Sequence, residues 1–184
     1  MAYNSISTFI AGMNVDGLRP NLFEIVFGSL DAEFSVRAKA TSIPSSNLGV
    51  ASVFYFGRQV KFAGNRTFAD WTVSVLMDEV DYGINGNRGR LERWMNELNT
   101  HVGNRRAGGA GFGSSDPSQY QRDATIIHWS KDGTIPLATY EMRNCFPINI
   151  GELPLDWQAN DTIAEYSVTF ALNYWTRVVN GITT

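Results

Sequence analysis

Apolar side chains return at every second position in one run after another along this chain, and that alternation restricts the fold more than any other feature. A period of two places successive side chains on opposite faces of an extended strand, so each run can bury one face and leave the other exposed. Phe23, Ile25 and Phe27 alternate with Leu22, Glu24 and Val26, and Phe34, Val36 and Ala38 alternate with Ser35, Arg37 and Lys39. Thr125, Ile127 and Trp129 alternate with Ala124, Ile126 and His128. Val53–Phe56, Arg58–Phe62, Phe68–Met77, Leu137–Met142 and Ile163–Val178 read as further strands. Gly28–Asp31 and Lys131-Asp132-Gly133 predict turns, residues 41–49 (TSIPSSNLG) are turn formers, and Gly57 and Gly64 predict bends. A helical stripe interrupts this pattern: Leu91, Trp94, Met95 and Leu98 share one face, and Arg90, Glu92, Arg93, Asn96 and Glu97 cover the rest. A shorter stripe of Ile6, Phe9, Ile10 and Met13, behind Asn4 or Ser5, predicts a brief helix ended by Gly17. The expectation is a mainly β fold of roughly six to eight strands with one principal helix.

At 184 residues and 43% hydrophobic content, the chain is long enough to bury its own core, and it reads as a single domain spanning 1–184. Residues 1–20 form its N-terminal arm, and the Gly/Ser-rich stretch 101–118 (HVGNRRAGGAGFGSSDPS) forms a long loop, mobile or ordered by a partner. Fifteen basic residues against 18 acidic ones leave a net charge of -3, which lacks the bulk positive field of a non-specific nucleic-acid binder. Cys145 is the lone cysteine, so no intramolecular disulfide is available and a reducing, cytosolic site of synthesis is expected. No apolar run reaches the length of a membrane-spanning helix, and no basic residue precedes Arg19, so no signal peptide is expected. The sequons at Asn65 and Asn160 occur at chance frequency.

Catalysis needs convergent polar groups, and the material is sparse. His128 lies within an alternating strand and reads as solvated or hydrogen-bonded; His101, at a helix C-terminus, complements the helix dipole. Cys145 has no adjacent base and reads as a small core residue. The glycines of GGAGFG (Gly108–Gly113) follow a helix, lack the G-x-G-x-x-G spacing, and none of Lys39, Lys61 and Lys131 follows a glycine as a P-loop requires. Asp78, Glu79 and Asp81 lack a calcium-loop pattern or a histidine partner and read as a solvated helix entrance. No catalytic, cofactor-binding or metal-ligating residue is therefore assigned. Arg88, Arg90, Arg93, Arg105 and Arg106 crowd the helix with Glu92 and Glu97 alone opposing them; the plain reading is a solvated face. The sharper one makes Arg105 and Arg106 a docking point for an acidic partner.

Several longer segments resemble a known family. RPNLFE (Arg19–Glu24), KATSIP (Lys39–Pro44), AGNRTFADWTVSVLMD (Ala63–Asp78), LERWMNELN (Leu91–Asn99), CFPINIGELPLDW (Cys145–Trp157) and DTIAEYSVTFALNYW (Asp161–Trp175) are similar, in order and spacing, to the tail tube proteins of contractile-tailed bacteriophages. The resemblance implies a β-sandwich or barrel-like domain with a flanking helix, shared with the inner-tube protein of type VI secretion systems. It implies homo-hexameric rings whose sheets join between subunits into one continuous barrel, stacked into a channel through which DNA passes without sequence-specific binding. It implies sheath, baseplate, tape-measure and tail terminator proteins as partners, a place in the virion tail, assembly in the host cytoplasm, and no enzymatic activity.

The residues point the same way. Open strand edges, here expected around Val53–Phe62 and Thr72–Met77, are liabilities in a monomer that ring closure relieves. Different patches at top and bottom give a heterologous contact that grows without closing. The resemblance implies that the connection at Thr41–Phe62 reaches the next ring, which makes Ser45, Asn47, Val53, Phe54, Tyr55, Phe56 and Arg58 the contact candidates. A DNA conduit is also expected to have a neutral to negative lumen. Two alternatives remain at this level: the inner tube of a phage-derived injection particle, or a monomeric β-sandwich that binds carbohydrate through Trp71, Trp129 or Trp175.

Overall fold

A computed structural model describes residues 6–12, 17–28, 34, 37–105, 116–179 and 182–183. Ten strands occur among them: β1 (Phe23–Phe27), β2 (Ala38–Thr41), β3 (Ser46–Tyr55), β4 (Arg58–Phe68), β5 (Trp71–Leu76), β6 (Arg122–Trp129), β7 (Pro136–Ile150), β8 (Glu165–Ala171), β9 (Tyr174–Val179) and β10 (Ile182–Thr183). Helices with described bounds are α1 (Ile6–Gly12), α2 (Asn87–Leu98) and the single turn α3 (Pro117–Tyr120), with a 3-10 turn at Glu79–Tyr82; Phe34 and Arg37 are helical as well. The mainly β expectation holds, with more strands than anticipated.

The main sheet is antiparallel in the order β1-β6-β7-β8-β5-β2, with β9 beside the first half of β7 and β10 beside β9. β7 bends where Asn144 takes a left-handed φ of 61°, a conformation that asparagine tolerates better than most residues. The Asn144 amide N–H donates to Asp123 Oδ1 (2.9 Å), and its side-chain nitrogen donates to Gln121 Oε1 (3.0 Å), which fixes the bend. Before it, Thr139–Arg143 of β7 pair with β9; beyond it, Phe146–Ile150 pair with β8. The bend folds one half-sheet toward the other without closing a barrel in the subunit.

One core fills the space between the halves. Ile25 and Phe27 from β1 and Ala124 and Ile126 from β6 meet Trp71, Val73 and Val75 from β5 and Val168 and Phe170 from β8. Phe27 is its keystone: its ring stacks on Trp71 (6.1 Å), tilts against Phe170 (5.1 Å), and meets Trp94 of α2 edge-on (5.9 Å). The predicted α2 stripe is thereby accounted for, with Leu91 and Trp94 buried and Met95 and Leu98 half-buried.

Several expectations are corrected. Phe34 and Arg37 are helical where a strand is expected, residues 35 and 36 lie outside the described residues, and β2 starts at Ala38. β2 pairs with β5 instead of turning back on β1; residues 29–31 of the expected turn lie outside the described residues. Beside β5, whose Trp71, Val73 and Val75 are fully buried, β2 extends the sheet over the core, and the outer side of β1 stays without a strand among the described residues. Thr72–Met77 is therefore no free edge, because β5 lies between β2 and β8. The free ends of the main sheet path are β1 and β2. Residues 46–49 are strand, not turn, and extend β3 well before Val53. The expected strand Ile163–Val178 breaks at Leu172 and Asn173, where the Asn173 N–H still donates to the Arg143 carbonyl (3.1 Å) as the chain passes from one half-sheet to the other.

Candidate functional site

β3 and β4 form a separate two-stranded sheet, a hairpin about 30 Å long at ordinary strand rise. Every residue of β3 is exposed, and of β4 only Gly64 and Phe68 are partly covered. The Ala69 N–H donates to the Ser45 carbonyl (3.0 Å) and closes the hairpin at its base, and the Phe68 ring ties it to the body by meeting Trp175 of β9 edge-on (5.9 Å).

Register sorts its side chains onto two faces. Directly opposed residues share a face, so Ala51/Phe62, Val53/Val60 and Tyr55/Arg58 line one side, while Val50/Ala63, Ser52/Lys61 and Phe54/Gln59 line the other. The first is an apolar strip ending in a tyrosine. In a lone subunit these side chains face water, an arrangement that marks an association surface. Near the base, the register shifts between Leu48 and Val50, and a Cβ on Gly64 would lie 2.9 Å from the Gly49 carbonyl carbon, so glycine permits this close backbone approach.

The tip departs from the usual chemistry of such turns. Phe56 and Gly57 form a two-residue loop with φ of 46° and 76°, the doubly positive geometry that favours Asn-Gly. A phenylalanine in that position is strained, yet its ring is 91% exposed and packs only edge-on against Tyr55 (4.6 Å). Among the contact candidates, Asn47 pairs with Thr67 inside the hairpin, and Val53, Phe54, Tyr55, Phe56 and Arg58 lie together in its outer part. Ser45 sits just below its base. Arg105 lies elsewhere, in the exposed loop after α2, where its N–H donates to Thr100 Oγ1 (3.3 Å) and its carbonyl accepts from the Thr100 N–H (3.0 Å). Arg106 falls outside the described residues, as do Gly108–Gly113.

A second surface went unassigned at the level of sequence. Between β7 and β8, residues 151–164 expose Leu155, Trp157 (99%) and Ile163 around an open groove of about 810 Å³. Lys39 and Leu76 close its other side, and Lys39 pairs with Glu165 there. The available signal was a tryptophan and two aliphatics in a segment without strand alternation.

The residues weighed for chemistry take structural positions. His128 Nε2 is 2.9 Å from the Arg19 carbonyl oxygen. Among the described residues, no three His, Cys, Asp or Glu side chains gather as a metal site would require. Asp81 corrects the reading of a solvated helix entrance: it is wholly buried, accepts from Arg37 Nη1 (2.5 Å) and from the N–H groups of Asp78 (3.0 Å) and Asn87 (3.1 Å). It locks the turn before α2 to the segment before β2. Trp71 is buried, with Nε1 donating to Thr41 Oγ1 (2.8 Å); Trp129 donates to Glu24 (3.2 Å) and is half-buried, as is Trp175 against Tyr140. Trp71 is therefore no exposed platform, and Trp129 and Trp175 are each engaged with neighbouring side chains.

Cys145 is fully buried, and burial, with the nearby Asp123 charge adding to it, pushes its thiol pKa up to about 12. A water-soluble maleimide at mildly alkaline pH is expected to leave it unlabelled in the native protein and to label it completely in denaturant. Rapid labelling of the native subunit, followed by mass spectrometry, would show that the β7 bend opens.

The family model described as phage tail tube protein matches residues 8–178. The tail tube protein gp19 of Enterobacteria phage T4 is 33% identical over 160 residues, 87% of this chain and 91% of that protein. The tail tube protein of Serratia phage KSP90 is 26% identical over 71% of this chain and 67% of its own length. The fold is similar to that of a chain in the sheath/tube terminator of the PVC extracellular contractile injection system in its extended state (TM-score 0.67, 16% identity, 90% of this chain and 99% of that one). It is likewise similar to a chain in the sheath-tube complex of the same system (TM-score 0.61, 16% identity, 95% and 98% covered). A projecting hairpin with a bare apolar strip on a bent β core, and a family match across nearly the whole sequence, lead to one conclusion: this chain belongs to the phage tail tube protein family, and its role is structural, as a subunit of a tail's inner tube.

Proposed function

We propose that six copies of this chain close into a ring, that rings stack into the inner tube of a contractile phage tail, and that DNA passes through the channel. The observation that carries this reading is the β3–β4 hairpin, an arm of about 30 Å whose apolar strip has no partner within the described subunit. The outer sides of β1 and β2 support ring closure, since each ends the main sheet path with backbone groups available to a neighbour. A net charge of -3 suits a lumen that releases DNA instead of holding it. The hairpin, with Ser45 and Asn47 at its base and Val53 to Arg58 at its outer end, reaches the adjoining ring. Arg105 and Arg106 dock a partner on the outside.

Sheath, baseplate, tape-measure and tail terminator proteins are the partners of such a tube, which is assembled in the host cytoplasm and ends in the virion tail. The identity with the phage T4 protein favours a phage tail over a phage-derived injection particle.

Negative-stain electron microscopy across a concentration series tests the reading, with Phe56→Asn as the informative variant. Asparagine suits the left-handed position, so the hairpin stays formed and its amides exchange no faster than before. Six-fold rings and stacked tubes are expected from the unaltered chain, and rings with few or no tubes from the variant. Persistent single subunits from the unaltered chain, or normal tubes from Phe56→Asn, would count against the arm.

A further inference from the structure

The hairpin and the groove at residues 151–164 sit at opposite ends of the same half-sheet. β2 and β5 pair Thr41 with Val73 and Ala38 with Val75, so the hairpin, which joins Thr41 to Trp71, leaves the sheet at that end. β5 and β8 pair Leu76 with Glu165, so the segment entering β8 lies at the other, about 20 Å away at ordinary strand rise. An arm at one end and a receptor at the other form the two halves of a head-to-tail contact, which repeats without closing.

Charge and polarity match across the two surfaces. Ser46–Phe68 carries Arg58, Lys61 and Arg66 and no carboxylate; residues 151–164 carry Glu152, Asp156 and Asp161 and no basic side chain. All six are exposed, and none is in an ion pair among the described residues. Each cluster leaves its charge unanswered among the described residues, and the opposite sign stands at the far end of the half-sheet. The apolar components match as well: Tyr55 and Phe56 at the arm's tip face outward, and Trp157, Leu155 and Ile163 line the groove.

We infer that the groove at residues 151–164 is the receptor for the β3–β4 hairpin of a copy in the adjoining ring, with the tip ring of Phe56 against Trp157 and Arg58 beside Asp156. This rests on the tube reading above and names the surface that the arm engages. The contact combines burial of aromatic rings with a rim of opposite charges, the arrangement that fixes register and orientation between subunits. It also accounts for a strained phenylalanine at the hairpin tip, since the strain is offset by a contact made only in the assembly.

Charge exchange tests it. Arg58→Glu with Lys61→Glu, and separately Asp156→Lys with Asp161→Lys, are each expected to raise the protein concentration needed for tubes by at least about tenfold, a shift of about 1.4 kcal/mol per contact, with rings and thermal stability retained. The chain carrying all four substitutions is expected to regain tubes. A second measurement keeps both rings: with Gln59→Cys beside the tip and Gln158→Cys beside Trp157 in one chain, both exposed positions outside the proposed contact pairs, oxidation of assembled tubes is expected to produce a ladder of cross-linked subunits, with the buried Cys145 contributing no background. Tubes that form normally with either charge cluster reversed, or tubes without a cross-linked ladder, overturn the pairing and leave the tube reading standing. An unaltered chain that forms rings or single subunits but never stacks overturns both.

Discussion

Phe27→Ala is expected to destabilise the subunit by about 3–5 kcal/mol, the range for truncating a buried aromatic. Phe27 is 4% exposed and touches every layer of the core: Phe34 edge-on at 6.2 Å, Trp71 and Phe170 across the sheets, and Trp94 on the helix. Alanine would leave a cavity walled by four large rings that cannot all collapse into it, so the transfer loss is joined by a cavity cost. Aromatic pair geometry adds about 0.5–1.5 kcal/mol for a favourable pair. Against a total stability of roughly 5–15 kcal/mol for a domain, such a loss leaves a substantial unfolded fraction. Urea denaturation followed by tryptophan fluorescence measures it, because Trp71 and Trp94 lie in the same cluster. The neighbouring Val26→Ala is the control: its side chain is on the opposite, exposed face of β1, and it is expected to change stability by less than about 1 kcal/mol. Equal effects at the two positions would contradict the inward assignment of Ile25 and Phe27.

Asp81→Ala is expected to cost about 3–5 kcal/mol, by a different mechanism. Asp81 is a buried carboxylate with three donors, so its removal strips a charge partner from Arg37 and leaves the Asn87 N–H, at the first residue of α2, without its acceptor. Arg37 keeps Asp78 (3.1 Å), whose carboxylate is half-exposed and also caps the 3-10 turn through the Glu79 N–H (2.6 Å). A double-mutant cycle with Arg37→Met separates the pair from its surroundings: once the cation is gone, removing the carboxylate is expected to cost less than it does alone. Additive losses in that cycle would mean that Asp81 acts through its backbone acceptor role only. The same substitution is expected to loosen α2 against β7, visible as faster amide exchange in the helix.

These positions differ in how far the sequence disclosed them. Ile25 and Phe27 were legible as one face of a strand, and Leu91 and Trp94 as one face of a helix, because both periodicities are local and survive in the sequence string. Asp81 reads in the sequence as a solvated carboxylate and is buried in the structure. Its burial depends on Arg37, 44 positions earlier, and no local pattern carries that information. The segment Phe34–Lys39 alternates as well as any strand in the chain, yet Phe34 and Arg37 are helical, since the ring is claimed by Phe27 and the guanidinium by Asp78 and Asp81. In the hairpin, Gly57 marked a turn, but the extent of β3 was hidden because Ser46, Asn47 and Gly49 are ordinary turn formers that become strand once β4 pairs with them.

The family match showed that the chain is a tube subunit, and the alternation alone established that it is built mainly of strands around one amphipathic helix. Only the tertiary structure decided which strands are neighbours: that β2 closes on β5 and not on β1, that Asn144 bends β7 so that β8 and β9 share it, and that β3 and β4 stand clear of the core. The physical reason is the range of the interactions. Side-chain period and turn preference act over a few residues, whereas pairing is settled by burial and hydrogen bonding between segments tens of residues apart, where many registers satisfy the same local pattern and the packed core selects among them. The two surfaces assigned to assembly follow the same division. The residues of arm and groove were present in the sequence as an apolar run and an acidic loop, and the fold alone set them at opposite ends of one sheet.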